Sequence, residues 1–252
     1  MQQIYKDVGL EVQEIKRLTE DSYAVRLKLN GVKFDYYAGQ FIMLKFDPLK
    51  ETEDFKVLNN IPKTQSRAYS MSSSPVNSDF LEITSKKTPN GFISDYMLKV
   101  LRPGDIIKVS GPYGKFYVDE NENENLFLIG AGSGISPLMS ILRFYLDKSK
   151  NSKVIMLFSN KKFSDIIWYD ELNTMQKTHE EFKCFFTLTQ KDHEDWNGFE
   201  GRINGEMIKK CVGDINNYKF YICGPPLMVD STIIDLKNLG VEISRIKIEK
   251  YD

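Results

Sequence analysis

Residues Leu126 to Ile141 read LFLIGAGSGISPLMSI, an apolar run that stops at a cluster of glycines and restarts with helical spacing through Leu138, Met139, Ile141 and Leu142. Such a run folds as a strand, a tight turn and a helix. The turn leaves the unpaired N–H groups of the helix N-terminus aimed at one spot, and its small residues let a phosphate approach the backbone. Gly132, Ser133, Gly134, Ile135, Ser136 and Pro137 therefore form a candidate diphosphate cradle. The spacing is G-x-G-x-x-P, not the G-x-G-x-x-G of the common dinucleotide fingerprint. Pro137 falls in the first helical turn, where its missing N–H is harmless. The next predicted strand ends in Ser159, Asn160 and Lys161, with no carboxylate to hold a ribose. Taken alone, the turn is also readable as purely structural, so other stretches must decide.

The chain of 252 residues allows one or two domains, and two are expected. With 34 basic and 35 acidic residues the net charge is −1, which offers no electrostatic case for nucleic acid or an anionic membrane. The N-terminus lacks a signal-peptide layout and no apolar run approaches a membrane span, so a soluble, cytoplasmic protein is expected. Cys184, Cys211 and Cys223 form neither a C-x-x-C nor an iron–sulfur spacing. His179 and His193 lie in polar segments without ligand partners, and no metal is assigned.

From Gly9 to Phe46 the pattern alternates apolar and polar residues, as antiparallel strands do. Residues 48–65 have no convincing period and read as a long loop. Strands resume at Ser66 to Ser72 and Phe80 to Lys86, a helix is predicted from Asn90 to Leu101, and Asp105 to Ser110 closes a six-stranded antiparallel Greek-key barrel. Gly111 to Gly114 read as a turn leading out. The acidic, asparagine-rich run at 118–125 marks a linker between a domain at 1–117 and one at 126–252. Beyond it, strands near 126–130, 153–158, 183–188, 218–223 and 243–248 alternate with helices near 135–148, 166–178, 204–212 and 226–239. That order implies a parallel, Rossmann-like α/β sheet.

Three further stretches carry chemistry. In R-A-Y-S, Arg67 and Tyr69 share one face of a strand while Ala68 and Ser70 share the other. Such a strand can grip a ligand, although a core tyrosine beside a surface arginine has the same pattern. In G-F-I-S, Gly91, Phe92, Ile93 and Ser94 open a helix and present N–H groups and a hydroxyl to an anion; an ordinary cap is the alternative. In C-G-P-P-L-M, Cys223, Gly224, Pro225 and Met228 lie at the carboxyl end of a parallel strand, the edge where open α/β sheets bind ligands.

With R-A-Y-S, G-F-I-S, G-A-G-S-G-I-S-P and C-G-P-P-L-M in this order, the chain resembles the ferredoxin–NADP reductase superfamily over essentially its whole length. The resemblance implies FAD on the barrel and a nicotinamide dinucleotide on the C-terminal sheet. It implies that Arg67 neutralises the FAD diphosphate, Tyr69 packs along the flavin, Ser70 approaches flavin N5, and Gly91 to Ser94 bind the diphosphate. Ile83, Thr84 and Ser85 match the strand that runs past the FAD ribose and adenine. Gly132 to Pro137 would cradle the dinucleotide, with Cys223 and Gly224 near the nicotinamide. Tyr251 is either a terminal aromatic covering the flavin or a surface tyrosine. Lys161 and Lys162 would suit a 2′-phosphate, but Asp165 resembles NADH-using relatives, which tilts the choice to NADH. Ser70 and Cys223 are then positioning residues for hydride transfer from NAD(P)H to FAD. Electrons would leave to a separate acceptor such as a ferredoxin or an oxygenase component; Lys86 and Lys87 read first as a solvated charged strand end and second as candidates for steering it. A reductase using free flavin and a non-catalytic electron-transfer or nucleotide-sensing subunit are the competing readings.

Overall fold

The computed structural model describes residues 2–46, 65–88, 91–148, 152–192 and 194–251. The predicted loop at 48–65 lies outside them except for Gln65.

The N-terminal half contains β1 (Tyr5–Arg17), β2 (Ser22–Lys28), β3 (Phe41–Phe46), β4 (Gln65–Ser70), β5 (Phe80–Lys86), α1 (Phe92–Lys99) and β6 (Ile106–Tyr113). The strands pair antiparallel in the order β4-β3-β6-β1-β2-β5. The chain just past β4 curls onto β5 through the Met71–Ile83 bridge, bringing the two edge strands together as a barrel. Alternation explains the filling: Leu10 and Val12, Val25 and Leu27, Ile42 and Leu44, Ile107 and Val109 all point inward and are buried. Ile93 and Met97 of α1 plug one end. β6 runs on through Gly111 and Pro112, because Tyr5 pairs with Gly111 and Phe41 with Tyr113, so the turn expected at 111–114 begins only after Tyr113.

The C-terminal half contains β7 (Asn125–Ala131), α2 (Ile135–Asp147), β8 (Val154–Asn160), α3 (Tyr169–Thr178), β9 (Phe182–Leu188), β10 (Phe199–Glu200), α4 (Gly205–Cys211), β11 (Tyr218–Gly224), α5 (Pro226–Asn238) and β12 (Ile246–Lys250). All pairings are parallel, in the order β10-β9-β8-β7-β11-β12. Helices cover both faces, which is why every residue of β8 is buried. Two cores result, one under α2 and α3 and one under α4 and α5.

One further strand and two further boundaries differ from expectation. The two-residue β10 was too short to carry a periodic signal. The helix expected from 166 starts at Tyr169, because Trp168 adopts a left-handed conformation (φ 62°) just before it. The last strand starts at Ile246, since Ile243–Arg245 form a helical turn.

The chain steps outward from β7 to β10 and then returns to lay β11 on the other side of β7. The crevice between the carboxyl ends of β7 and β11 is therefore a topological switch point, where α/β sheets receive ligands. α2 starts beside it and packs its other flank against the barrel.

Candidate functional site

A cleft of about 660 Å³ lies where the barrel meets the end of the parallel sheet. Arg67, Ala68, Tyr69 and Ser70 of β4, with Thr84 and Ser85 of β5, form its barrel wall. Thr88, Gly91, Ile93 and Ser94 close one end, while Ser133, Ser136, Glu249 and Tyr251 come from the C-terminal half.

On the barrel wall, Arg67 is exposed and its guanidinium meets only the Ser66 carbonyl, at 2.8 Å, among the described residues. A positive fork is thus left facing solvent at the cleft. Burial pushes the Tyr69 phenol up to about 12, against a hydrogen bond to Ser85 and the charge of Arg67, so it stays neutral. Ile83 faces the barrel core rather than the cleft. Tyr23 joins the wall from behind, its hydroxyl donating to the Ser94 carbonyl at 2.9 Å.

At the end of the cleft, the Ser94 hydroxyl donates to the Gly91 carbonyl at 2.9 Å and accepts from the Thr88 N–H at 3.2 Å. The hydroxyl expected to face an anion is therefore spent inside the turn, leaving backbone N–H groups of the first turn of α1 for that role. A Cβ on Gly91 would lie 2.1 Å from Thr88 Oγ1, so only glycine lets the turn close this tightly.

On the opposite side, a Cβ on Gly134 would lie 2.2 Å from the carbonyl oxygen of Cys223, a backbone contact that cannot give way. The two loops at the switch point are thereby pressed together, and Gly132 supplies the left-handed bend (φ 53°) above them. Cys223 is fully buried, and that burial holds its thiol well above the ordinary range, ruling out a thiolate nucleophile. β12 runs beside β11 with Glu249 opposite Cys223, and the Tyr251 N–H donates to the Gly224 carbonyl at 3.0 Å. This register delivers Tyr251 to Ser70, where the two hydroxyls are hydrogen-bonded. Ser70 Oγ also lies 3.5 Å from Glu249 Oε2. Burial raises the Glu249 carboxyl to about 7, against hydrogen bonds from Ser70 and Tyr251. Tyr251 is accordingly no surface tyrosine; its phenol sits between the two halves.

Ile135 and Pro137 are buried behind the glycine turn, and Pro225 and Met228 shape the start of α5. Ser159, Asn160, Lys161 and Asp165 lie at the carboxyl end of β8, outside the cleft. Asn160 is only 6 % exposed, yet neither its Nδ2 nor its Oδ1 has a partner among the described residues. Lys161 and Lys162 are exposed beside it. Lys86 and Lys87 are not free charges: they pair with Asp21 at 3.3 Å and Asp95 at 3.6 Å.

Sequence reasoning missed Glu249 as a member of the cleft, and it missed Glu82, Arg143 and Trp168, which join the halves behind it. The signal for Glu249 was its two-residue offset from Tyr251, which places both on one face of an extended strand. For Arg143 it was a serine, serine, arginine stripe at 136, 140 and 143 in an otherwise apolar helix.

The family model for the oxidoreductase FAD-binding domain matches residues 9–117, and that for the oxidoreductase NAD-binding domain matches residues 128–233. The chain belongs to the ferredoxin–NADP reductase superfamily and is an FAD- and NAD(P)-binding oxidoreductase. It is 29% identical over 250 residues to the phenol hydroxylase P5 protein of Acinetobacter pittii, covering 98% of this chain and 66% of that protein. It is 28% identical over 238 residues to the propane 2-monooxygenase reductase component of Mycolicibacterium smegmatis, covering 92% and 64%. The chain thus spans just under two thirds of the length of these relatives. Its fold matches the FAD/NAD-binding domain of a nitric oxide dioxygenase from Vibrio cholerae with a TM-score of 0.84 and 22% identity, covering 98% of this chain and 99% of the other.

The residues present fit both nucleotides. The cleft has the size of a cofactor pocket. It holds a cationic fork at Arg67, aromatic walls at Tyr69 and Tyr251, and backbone donors at α1. On the dinucleotide side, the Gly132 bend is open, with nothing within 4 Å of a Cβ placed there, and the buried amide of Asn160 has no hydrogen-bond partner among the described residues.

Proposed function

We propose that this chain is a cytoplasmic reductase in which residues 1–117 hold FAD, residues 126–252 hold NADH, and electrons pass to a separate protein acceptor, an oxygenase component or a ferredoxin. The observation that carries this reading is the convergence of Ser70 from the barrel with Glu249 and Tyr251 from the end of the parallel sheet in one cleft. When bound, FAD would supply the chemistry, accepting hydride from the nicotinamide and releasing electrons singly.

The chain's residues supply binding and orientation. Arg67 would pair with the FAD diphosphate by charge-assisted hydrogen bonds, supported by the N–H groups opening α1. Tyr69, held by Ser85, would form one wall, and the Ser70 hydroxyl would meet the reacting edge of the flavin. The Gly132 to Pro137 turn would take the dinucleotide phosphates and Asn160 the adenosine ribose. Cys223, neutral and buried, would bound the nicotinamide space. Glu249 holds its proton near neutrality next to Ser70, so it can supply or take up a proton at that hydroxyl as charge develops nearby. NADH is favoured because Lys161 and Lys162 offer no guanidinium fork for a 2′-phosphate. The oxygenase-type acceptor is supported by the relatives named above, a phenol hydroxylase protein and the reductase component of a propane 2-monooxygenase.

The test is direct. The purified chain should be yellow, bleach anaerobically with NADH, and prefer NADH over NADPH in kcat/KM. It should then reduce a purified oxygenase component or ferredoxin. Colourless protein that takes up no FAD would reject the reading, and flavin lost on simple dialysis would favour the free-flavin alternative.

A further inference from the structure

α2 carries the glycine turn at its start and a polar stripe along the flank that meets the barrel. Ser136 Oγ donates to the Ser70 carbonyl at 2.7 Å, and one turn on Ser140 Oγ donates to the Ser73 carbonyl at 2.7 Å. Arg143 Nη1 donates to the Ser72 carbonyl at 2.7 Å and meets Glu82 Oε1, while Nη2 reaches Glu171 Oε1 at 2.7 Å. Its guanidinium lies 4.7 Å from the ring centre of Trp168, whose Nε1 donates to Thr84 Oγ1 at 3.0 Å. Three successive side chains of one helix thus grip the backbone that follows Ser70, and Trp168 grips the facing strand.

Glu82 is 1 % exposed and belongs to the barrel, where Arg26 Nε meets its Oε2 at 2.9 Å; Arg143 is its partner from across the domain junction. A buried pair of this kind is a poor source of stability, since apolar replacements of both partners are often neutral or better. Its value lies in geometry: a two-sided fork tolerates little displacement.

We propose that the Ser136, Ser140 and Arg143 face of α2 is a registration clamp that sets the spacing between the glycine turn and Ser70, with Arg143 as its positioning residue. The inference rests on the functional reading above, in which that spacing is the distance between dinucleotide and flavin. Displacement by about 1 Å at a reacting centre lowers a rate by on the order of 100-fold.

The experiment compares the FAD-loaded wild type with Arg143→Lys and with the double variant Arg143→Met/Glu82→Met, which removes both buried charges and leaves the partly exposed Arg26 and Glu171 to solvent. Spin labels at Lys33→Cys and Lys237→Cys, one exposed site in each half, report the interdomain distance; the native cysteines are buried. The clamp predicts a narrow distance distribution in the wild type and a broad one in the double variant. It also predicts flavin reduction by NADH slowed roughly 10- to 100-fold with unchanged FAD affinity, and partial rescue in Arg143→Lys. A narrow distribution in the double variant overturns the clamp, and so does a broad one with a wild-type reduction rate. If the wild-type flavin is not reduced by NADH or NADPH, the functional reading fails, and the label distances alone still decide whether the clamp exists.

Discussion

The phenol of Tyr251 is hydrogen-bonded to the hydroxyl of Ser70, joining side chains 181 positions apart that come from opposite halves of the molecule. The Tyr251 ring therefore occupies space between the barrel strand that carries Ser70 and the buried loop at Cys223, where a nicotinamide would have to lie. Tyr251→Ala should tighten NAD⁺ binding to the oxidised protein about tenfold, because one hydrogen bond of roughly 1–1.5 kcal/mol no longer has to break. Tyr251→Phe, which also lacks the hydroxyl, should give a comparable gain. Spectral titration with NAD⁺ measures both, and weaker binding in the alanine variant would show that the ring helps to hold the dinucleotide.

Arg67 lines the cleft, and among the described residues its guanidinium meets only the Ser66 carbonyl. Arg67→Ala should weaken FAD binding by about 1.5–3 kcal/mol, on the order of 10- to 100-fold in Kd, the value of a charge-assisted hydrogen bond. Titration of FAD into apoprotein by flavin fluorescence reads this out, and an unchanged Kd would remove Arg67 from the diphosphate site.

Glu249 and Glu82 should respond to pH in opposite directions. Burial raises Glu249 to about 7, so its stabilising contribution is complete below the ordinary carboxylate range and is lost as pH rises through about 7. Burial also opposes ionisation of Glu82, but Arg143 and Arg26 outweigh it and hold the carboxyl below its ordinary value. Its contribution is present above the ordinary carboxylate range and is lost as pH falls through the depressed value. Melting curves across neutrality should show Glu249→Gln losing the alkaline decline while the acid limb remains. An alkaline limb identical to wild type would contradict the assignment.

Asn160 carries a buried amide without hydrogen-bond partners among the described residues, an arrangement that opposes folding by about 1–3 kcal/mol until something pairs with it. Asn160→Ala should therefore leave Tm unchanged or raised while increasing KM for NADH roughly 2- to 10-fold, the worth of one hydrogen bond. A lowered Tm with unchanged KM would make the residue structural.

Gly134→Ala would place a methyl 2.2 Å from the Cys223 carbonyl oxygen, and neither backbone can retreat without parting β7 from β11. Loss of NADH reduction with FAD still bound is the expected result, measured by stopped-flow mixing against the visible flavin spectrum. A variant reduced at the wild-type rate would show that the two loops need not touch.

What the amino-acid sequence determined by itself is what short-range pattern can encode. Alternation over β1 to β3 and over β5 placed one face of each strand inward, and the apolar run, glycine cluster and helical spacing at 126–141 defined β7, its turn and α2. Four short motifs in order then carried the resemblance to the reductase superfamily, and each is legible because its small residues and free N–H groups are contiguous in the chain. Tertiary structure alone decided the rest. It consumed the Ser94 hydroxyl within its own turn, because that outcome depends on which neighbours crowd the residue. It paired Lys86 and Lys87 with carboxylates that no local pattern connects to them. It also brought Glu249 and Tyr251 to Ser70, and Arg143 to Glu82, 61 positions apart in the chain. Such pairs exist only once the parallel sheet has docked on the barrel, and their energies depend on burial that no single segment possesses.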